Sequence, residues 1–368
     1  MRGFWAVLRK EWIQMTRDRG TLVMALVIPI FELVLFGVID TNVKHVRTAV
    51  FDQSRTRESR ELVTDLVNTI YFDVVEEAPS HEALRESIVA GRASVGIEIP
   101  PDYARKKLRE QPADFLVLID GSDSTISSQT LGAANGVALQ RSLEEIARRT
   151  GIRDLPLQAH PLLLFNPDSR SANLLIPGLI AILLTFSGTI LAAFGIVRER
   201  ERGTLEQLMV TPASPVGVVL GKLLPYMGLG FVQLATILVV MVVFFKVPIH
   251  GSLPLFLALS TVYLFSLLAL GLVISSRAKT QMDAIQRAQA FLLPSVFLSG
   301  YVFPLFSLPA PLRVVAQILP ATHFIKISRA IIIRGAGFAD IWQSVAALLA
   351  IDAVLILAST RAFKKTIS

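Results

Sequence analysis

The 368-residue chain contains no cysteine, which excludes disulfides, thiolate zinc centres and iron–sulfur clusters and leaves compartment to be read from topology. Its five histidines, His45, His81, His160, His250 and His323, stand singly without metal-ligand spacing. No Gly-x-Ser-x-Gly nucleophile elbow is present. A phosphate loop is missing too. The nearest approach, Gly217-Val218-Val219-Leu220-Gly221-Lys222, has three residues between its glycines where the motif needs four, and Leu223 where it needs Ser or Thr. It lies where a helix enters an apolar run, so the Gly-x-x-x-Gly spacing suits close helix approach better than phosphate binding. Without a catalytic constellation the chain is expected not to be an enzyme by itself, and to bind no cofactor or metal.

Charge is sparse and unevenly placed. Charged residues make up 18% of the chain against 52% apolar, and mean hydropathy is +0.57, well outside the range of soluble proteins. Residues 40–172 hold 16 Lys+Arg against 20 Asp+Glu, and the rest of the chain holds 20 against 9. The excess behind the net charge of +7 therefore belongs to the apolar part, as the cytoplasmic flanks of membrane spans require. Nucleic-acid binding needs a basic stripe on a soluble face, and the soluble segment here is mildly acidic.

Long apolar runs are abundant. Residues 21–39, 174–196, 220–245, 253–275 and 341–358 are each long enough, at about 1.5 Å per residue, to cross a ~30 Å hydrocarbon layer. A further run, 288–303, is short for a crossing before Pro304 interrupts it. Counted as a span, it makes six and puts both termini on one side. After it, Pro304, Pro309, Pro311 and Pro320 punctuate an apolar stretch, so residues 304–334 read as a re-entrant hairpin of two short helices in the outer leaflet. Residues 1–20 carry Trp5, Leu8, Trp12 and Met15 on one face among basic residues, the pattern of an amphipathic helix in the headgroup layer. Short pieces on the terminal side hold fifteen basic residues against five on the other, which places the termini in the cytoplasm and residues 40–172 outside.

Within residues 21–39, Pro29 is expected to kink the helix and Glu32 sits near mid-membrane. Such a carboxylate faces protein or water, either as a structural hydrogen bond to a neighbouring helix or as a translocation-path group. Asp352 in the last span has the same two readings. Neither has a basic neighbour in its own span, so both are expected to be solvated or protonated rather than ion-paired. Residues 40–172 alternate strand-like and helix-like runs. Strands are expected at 48–51, 72–75, 95–99 and 115–119, with a weaker fifth at 163–165, and helices at 58–70, 81–90, 102–110 and 124–149. The fold class is thus an α-helical polytopic membrane protein, residues 173–368 carrying spans two to six, with an inserted extracytoplasmic α/β domain.

Between spans two and three lies a charged segment, 198–212. Arg198, Glu199, Arg200, Glu201 and Arg202 alternate in sign, and Gly203-Thr204 opens a short helix with Leu205, Leu208 and Met209 on one stripe and Glu206 and Gln207 off it, closed by Pro212. Within this span layout the run Arg-Glu-Arg-Glu-Arg-Gly-Thr-Leu-Glu-Gln-Leu-Met-Val-Thr-Pro resembles the coupling helix of ABC-2 type transporter permeases, and the large domain after span one is similar to their bacterial multidrug-efflux branch. The resemblance implies a permease in the inner membrane that docks an ATP-binding cassette subunit, the source of ATP and Mg. It further implies a second permease chain, identical or paralogous, and a periplasmic adaptor. The exported compound is expected to be hydrophobic or amphipathic. Lipid or lipopolysaccharide export, or a membrane-anchored sensor or assembly protein, are the alternatives. Pro29, Glu32, Phe186, Phe291 and Phe297 are the candidate path residues.

Overall fold

The structure, a computed structural model, describes residues 4–39, 44–109, 111–122, 124–150, 164–201, 203 and 215–367. The chain forms two compact units, residues 41–162 and residues 1–40 with 163–368.

The first unit is a four-stranded sheet with strand order β2-β1-β3-β4, built from β1 (Val46–Asp52), β2 (Phe72–Glu77), β3 (Val95–Ile99) and β4 (Leu116–Ile119). β1 pairs parallel with β2 and with β3, and β4 closes the sheet antiparallel to β3. The mixed α/β reading of the sequence therefore holds. The central strand β3 is buried at Val95, Gly96, Ile97 and Ile99, as expected for a strand covered on both faces. One face carries Val50, Leu62, Leu66, Phe72, Ile97 and Val137 in a single core. The other holds Ala49, Ala78, Leu84 and Ala93. Gly96 is what lets the helix His81–Val89 lie on that face, because a Cβ there would sit 2.9 Å from Leu84 Cγ.

Local chemistry starts the helices. Thr56 and Ser59 form a capping box ahead of Arg57–Asn68, and the Ser59 hydroxyl also donates to Asp52 at 2.6 Å. Asp102, expected as the start of a helix, instead precedes Tyr103–Leu108 without capping it and spends its carboxylate on Lys106 at 3.0 Å. The expected fifth strand is absent where it can be seen: Leu164 and Phe165 are exposed and outside any strand, and Phe165 has φ +67°. Three apolar residues without an alternating neighbour offer too little surface to hold an edge position. The long helix Ser124–Thr150 is present.

The second unit is helical. Its elements are α1 (Phe4–Arg17), α2 (Arg19–Val38), α7 (Ser171–Glu201), α8 (Pro215–Val243), α9 (Leu253–Arg277), α10 (Gln281–Leu298), α11 (Ala310–Ile318), α12 (Pro320–Ile332) and α13 (Phe338–Ile367), the helices α3 to α6 being those of the first unit. Among the described residues, five helices are long and apolar enough to cross a membrane: α2, α7, α8, α9 and α13. The fifth of the six expected spans is displaced. Its helix α10 runs from a Thr280 cap to Leu298 rather than from 288 to 303, and Gly300 at φ +85° turns the chain away. Its first turns carry Asp283 and Arg287, paired at 2.6 Å. Residues 304–334 contain two short helices, α11 and α12, joined at Leu319, of about 14 and 20 Å by residue rise.

α7 is the axis of this unit, with 78% of its apolar stretch buried against 22% for α13. Helix contact in lipid depends on small residues, and α7 shows why. Gly271 of α9 lies so close that a Cβ would stand 2.6 Å from Ala192 Cβ and 2.7 Å from the Thr189 carbonyl. Tyr263, fully buried, donates to the Ala181 carbonyl at 3.0 Å and stacks on Phe324 of α12 with ring centroids 4.1 Å apart. The kink expected at Pro29 takes the form of a π-helical turn, Val23–Val27, immediately before it. A proline removes one helical N–H and crowds the carbonyl four residues back, here Ala25, and the wider turn relieves that crowding.

In the sheet unit, the Ser87 hydroxyl, donating to Glu76 at 2.6 Å, and Arg92 hold the Glu76 carboxyl below its ordinary range. A depressed carboxyl contributes stability that is present above its unfolded value, near 4.5, and lost as pH falls through the folded one. Glu76→Gln is therefore expected to reduce protection of the β2 amides at pH 7, and the difference from the parent to shrink as pH falls below about 4.5 and through the lower folded value. Hydrogen exchange of the full chain, corrected for intrinsic rates, measures this.

Candidate functional site

The Arg-Glu-Arg-Glu run is not a separate loop. α7 continues through Glu201, so residues 198–201 form its final turn and fan out around the helix to five neighbouring helices. Arg198 pairs with Asp18, the cap of α2, at 2.7 Å. Arg200 donates to the Ser275 carbonyl at 3.0 Å and to that of Ala278 at the end of α9. Glu201 accepts from the Gln281 backbone at 2.8 Å, fastening the start of α10. Gly203, at φ +67°, ends the turn by donating to Arg200 O at 3.2 Å, the left-handed position that glycine fills without strain.

Glu199 turns inward. Its carboxylate lies 2.6 Å from Lys222 of α8 and also pairs with Lys10 of α1. Lys222 reaches Glu11 of α1 at 2.9 Å and the Gly195 carbonyl at 3.3 Å. Lys10 stands 3.4 Å from Glu11. Two carboxylates and two ammonium groups thus form a neutral cluster, with Lys222, Glu11 and Glu199 side chains only 4–5% exposed and Lys10 at the rim. Packing permits it: at Gly221 a Cβ would touch Val7 Cβ at 3.1 Å, so α1 and α8 run in close contact. The Gly-x-x-x-Gly spacing therefore serves helix approach at its second glycine.

Electrostatics follow from the geometry. Partial burial disfavours the Lys10 ammonium, but its hydrogen bond to Glu199 and the charges of Glu11 and Glu199 outweigh this and raise its pKa above the ordinary lysine value. Burial likewise pushes the Asp18 carboxyl up, and hydrogen bonds from Thr21 and Arg198 more than reverse it. The cluster holds charge in place; it offers no nucleophile or metal site, and among the described residues no group of three or more His, Cys, Asp or Glu could hold a metal.

Of the sequence-predicted docking residues, Arg198, Glu199, Arg200 and Glu201 are engaged in these intramolecular contacts, whereas Thr204, Leu205, Glu206, Gln207 and Leu208 lie outside the described residues. The path candidates are not gathered in one place. Pro29 is buried and Glu32 half-buried on α2, Phe186 and Phe291 are half-buried against the cluster around Ala193 and Leu292, and Phe297 is exposed and stacked on Phe303. Asp352 has no ion-pair partner among the described residues and accepts a hydrogen bond from Ser266 of α9. Lys10, Glu11, Asp18 and Lys222 did not stand out in the sequence as a site. The available signal was Lys222 itself, a lysine already inside an apolar run.

The chain was compared with known proteins. The model of the ABC-2 family transporter protein family matches residues 19–361. Escherichia coli K12 has two relatives named "Probable multidrug ABC transporter permease". YbhS is 29% identical over 90% of this chain and 88% of its own length, and YbhR is 27% identical over 99% and 98%. The "Inner membrane transport permease YhhJ" of the same organism is 27% identical over 89% of this chain and 86% of its own. A match running from the α1–α2 junction through the last span, together with a helical bundle whose longest buried helix ends in an interlocked charged turn, places this chain in the ABC-2 transporter family.

Proposed function

We propose that the chain is the membrane-spanning permease subunit of an ABC exporter that moves a hydrophobic or amphipathic compound out of the cytoplasm or inner leaflet, powered by ATP and Mg at a separate ATP-binding subunit. The observation that carries this reading is the end of α7. The most buried helix of the bundle leads, through one charged turn and Gly203, directly into the segment 204–212, and that turn is locked to α1, α2, α8, α9 and α10. A push on the segment is therefore delivered to the axis of the bundle and not dissipated in a loose loop. The sequence contains no phosphate loop of its own, so the energy must come from a partner.

In this reading two permease chains and two nucleotide-binding domains assemble. ATP binding closes the partner domains, residues 198–212 and α1 move as one body, and α7 tilts with them. α10 counts as the fifth span and α13 as the sixth, both termini lie in the cytoplasm, and residues 40–172 stand outside with a periplasmic adaptor as their partner. Exposed apolar stripes suit lipid or the second permease chain; Val23, Val27, Phe31, Leu35 and Val38 form one along α2.

Three outcomes are expected. Because the chain lacks cysteine, Glu206→Cys and Gln111→Cys give single labels: the first should react only with a membrane-permeant thiol reagent in intact cells, the second also with an impermeant one. Reversal of that pattern refutes the orientation. Leu205→Asp should leave insertion intact while abolishing substrate-stimulated ATPase activity in the reconstituted complex, and unchanged stimulation would remove the coupling role. Lys222→Met leaves two buried carboxylates facing one rim lysine, a loss of about 3–5 kcal/mol. Its melting temperature in detergent should fall clearly, with part of the loss recovered in Lys222→Met/Glu199→Gln.

A further inference from the structure

At the other end of α7, about 39 Å from Glu199 by helical rise, the helical unit encloses a second feature. A cavity of 630 Å³ lies between the start of α7, the turn after α10 and the end of α12. Lys326, Arg329 and Arg334 line it, and none of its lining residues is acidic. Among the described residues none of these three cations has an ion-pair partner. Arg329 donates Nη1 to the Gly300 carbonyl at 3.1 Å, but its buried Nε–H has no acceptor. One further lining donor is buried and unsatisfied, the hydroxyl of Ser299, only 1% exposed; the unpaired side-chain oxygen of Asn173 is an acceptor, its amide NH2 being spent on Asn166 at 2.8 Å, and it takes no part in binding an anion. The guanidinium is held there by packing, since a Cβ at Gly178 would meet its Nη2 at 3.1 Å and Tyr301 at 3.0 Å.

A half-buried cation without a counter-charge, its buried Nε–H and the neighbouring Ser299 hydroxyl both without acceptors, is an expensive arrangement unless something supplies the missing acceptors. The ligand such a site completes is an anion that accepts several hydrogen bonds, which is the chemistry of a phosphate group. The remaining walls are apolar: Leu174, Leu305, Phe306, Ile325 and Ile333. Phe306, 81% exposed, extends that apolar surface outward. We infer that this cavity binds the phosphate of an anionic amphiphile, the headgroup between Arg329, Lys326 and Ser299 and the hydrocarbon against Leu305 and Phe306. In the orientation proposed above it opens to the outer leaflet, but binding itself does not require that the chain transport anything.

Native mass spectrometry of the purified full chain, titrated with phosphatidylglycerol and with phosphatidylcholine of the same acyl chains, tests this. Retention of phosphatidylglycerol is expected to exceed that of phosphatidylcholine by about tenfold, the scale of charge-assisted hydrogen bonds. The preference should disappear in Arg329→Gln and in Lys326→Gln/Arg334→Gln. The latter pair changes a half-buried and an exposed side chain, so it carries the test should the Arg329 variant fail to fold. Arg17→Gln/Arg19→Gln, at the far end of the bundle and exposed, should keep the preference and so excludes general attraction to a basic protein. Equal retention of the two lipids, or a preference that survives the double variant, overturns the site. Displacement of phosphatidylglycerol by millimolar inorganic phosphate, with equal affinity for both, overturns the amphiphile assignment in favour of a free-anion site.

Discussion

Two carboxylates and two ammonium groups, three of the four withdrawn from solvent, join α1, α7 and α8 at one end of the bundle. Removing charges from water is costly, and the cost is offset only when each meets an opposite charge at contact distance with its remaining hydrogen-bonding capacity filled. Glu199 and Glu11 meet Lys222 at 2.6 and 2.9 Å, and Lys10 at the rim supplies the second positive charge that balances the pair of carboxylates. The cluster therefore specifies where three helices meet far more sharply than apolar contact could, because lipid is as good a neighbour for leucine as another leucine is.

The rest of the bundle follows from the same difficulty of associating helices in hydrocarbon. α7 is held by close approach at Gly271, by the Tyr263 hydroxyl on the Ala181 carbonyl and by Ser328 on the carbonyl of Pro177. Each contact replaces the missing hydrophobic drive with dense packing or with a hydrogen bond that lipid cannot supply. Short α12 is tolerated for the same reason: it is buried in protein along most of its length, whereas α11 is exposed apart from Ala316. A helix so largely enclosed, ending in a turn that touches five neighbouring helices, is suited to move as a lever with its surroundings.

The two ends of α7 are chemically opposite. One carries an internally paired charge cluster, and the other an unbalanced trio of cations with unsatisfied donors around a cavity. The first looks inward for its partners. The second has no counter-charge among the described residues.

Five of the six expected spans, the α/β character of residues 41–162, the two-helix form of residues 304–334 and the family were legible in the sequence, because each rests on local quantities: run length, alternation, proline punctuation and a contiguous motif. The limits of α10 were missed by five to seven residues, since Thr280 capping and the Gly300 turn count for more than hydropathy there. The supposed strand at 163–165 failed because short apolar runs carry no period. What only the tertiary structure decided is the partnership of charges 211 residues apart, Glu11 with Lys222, and the meeting of Arg329 with Ser299 and Asn173 around one cavity. A sequence states which charges exist and which segment must leave water. Whether a given charge ends beside its opposite or beside none is set by helix rotation and contact across the bundle, and those depend on the glycines and prolines of every neighbouring helix at once.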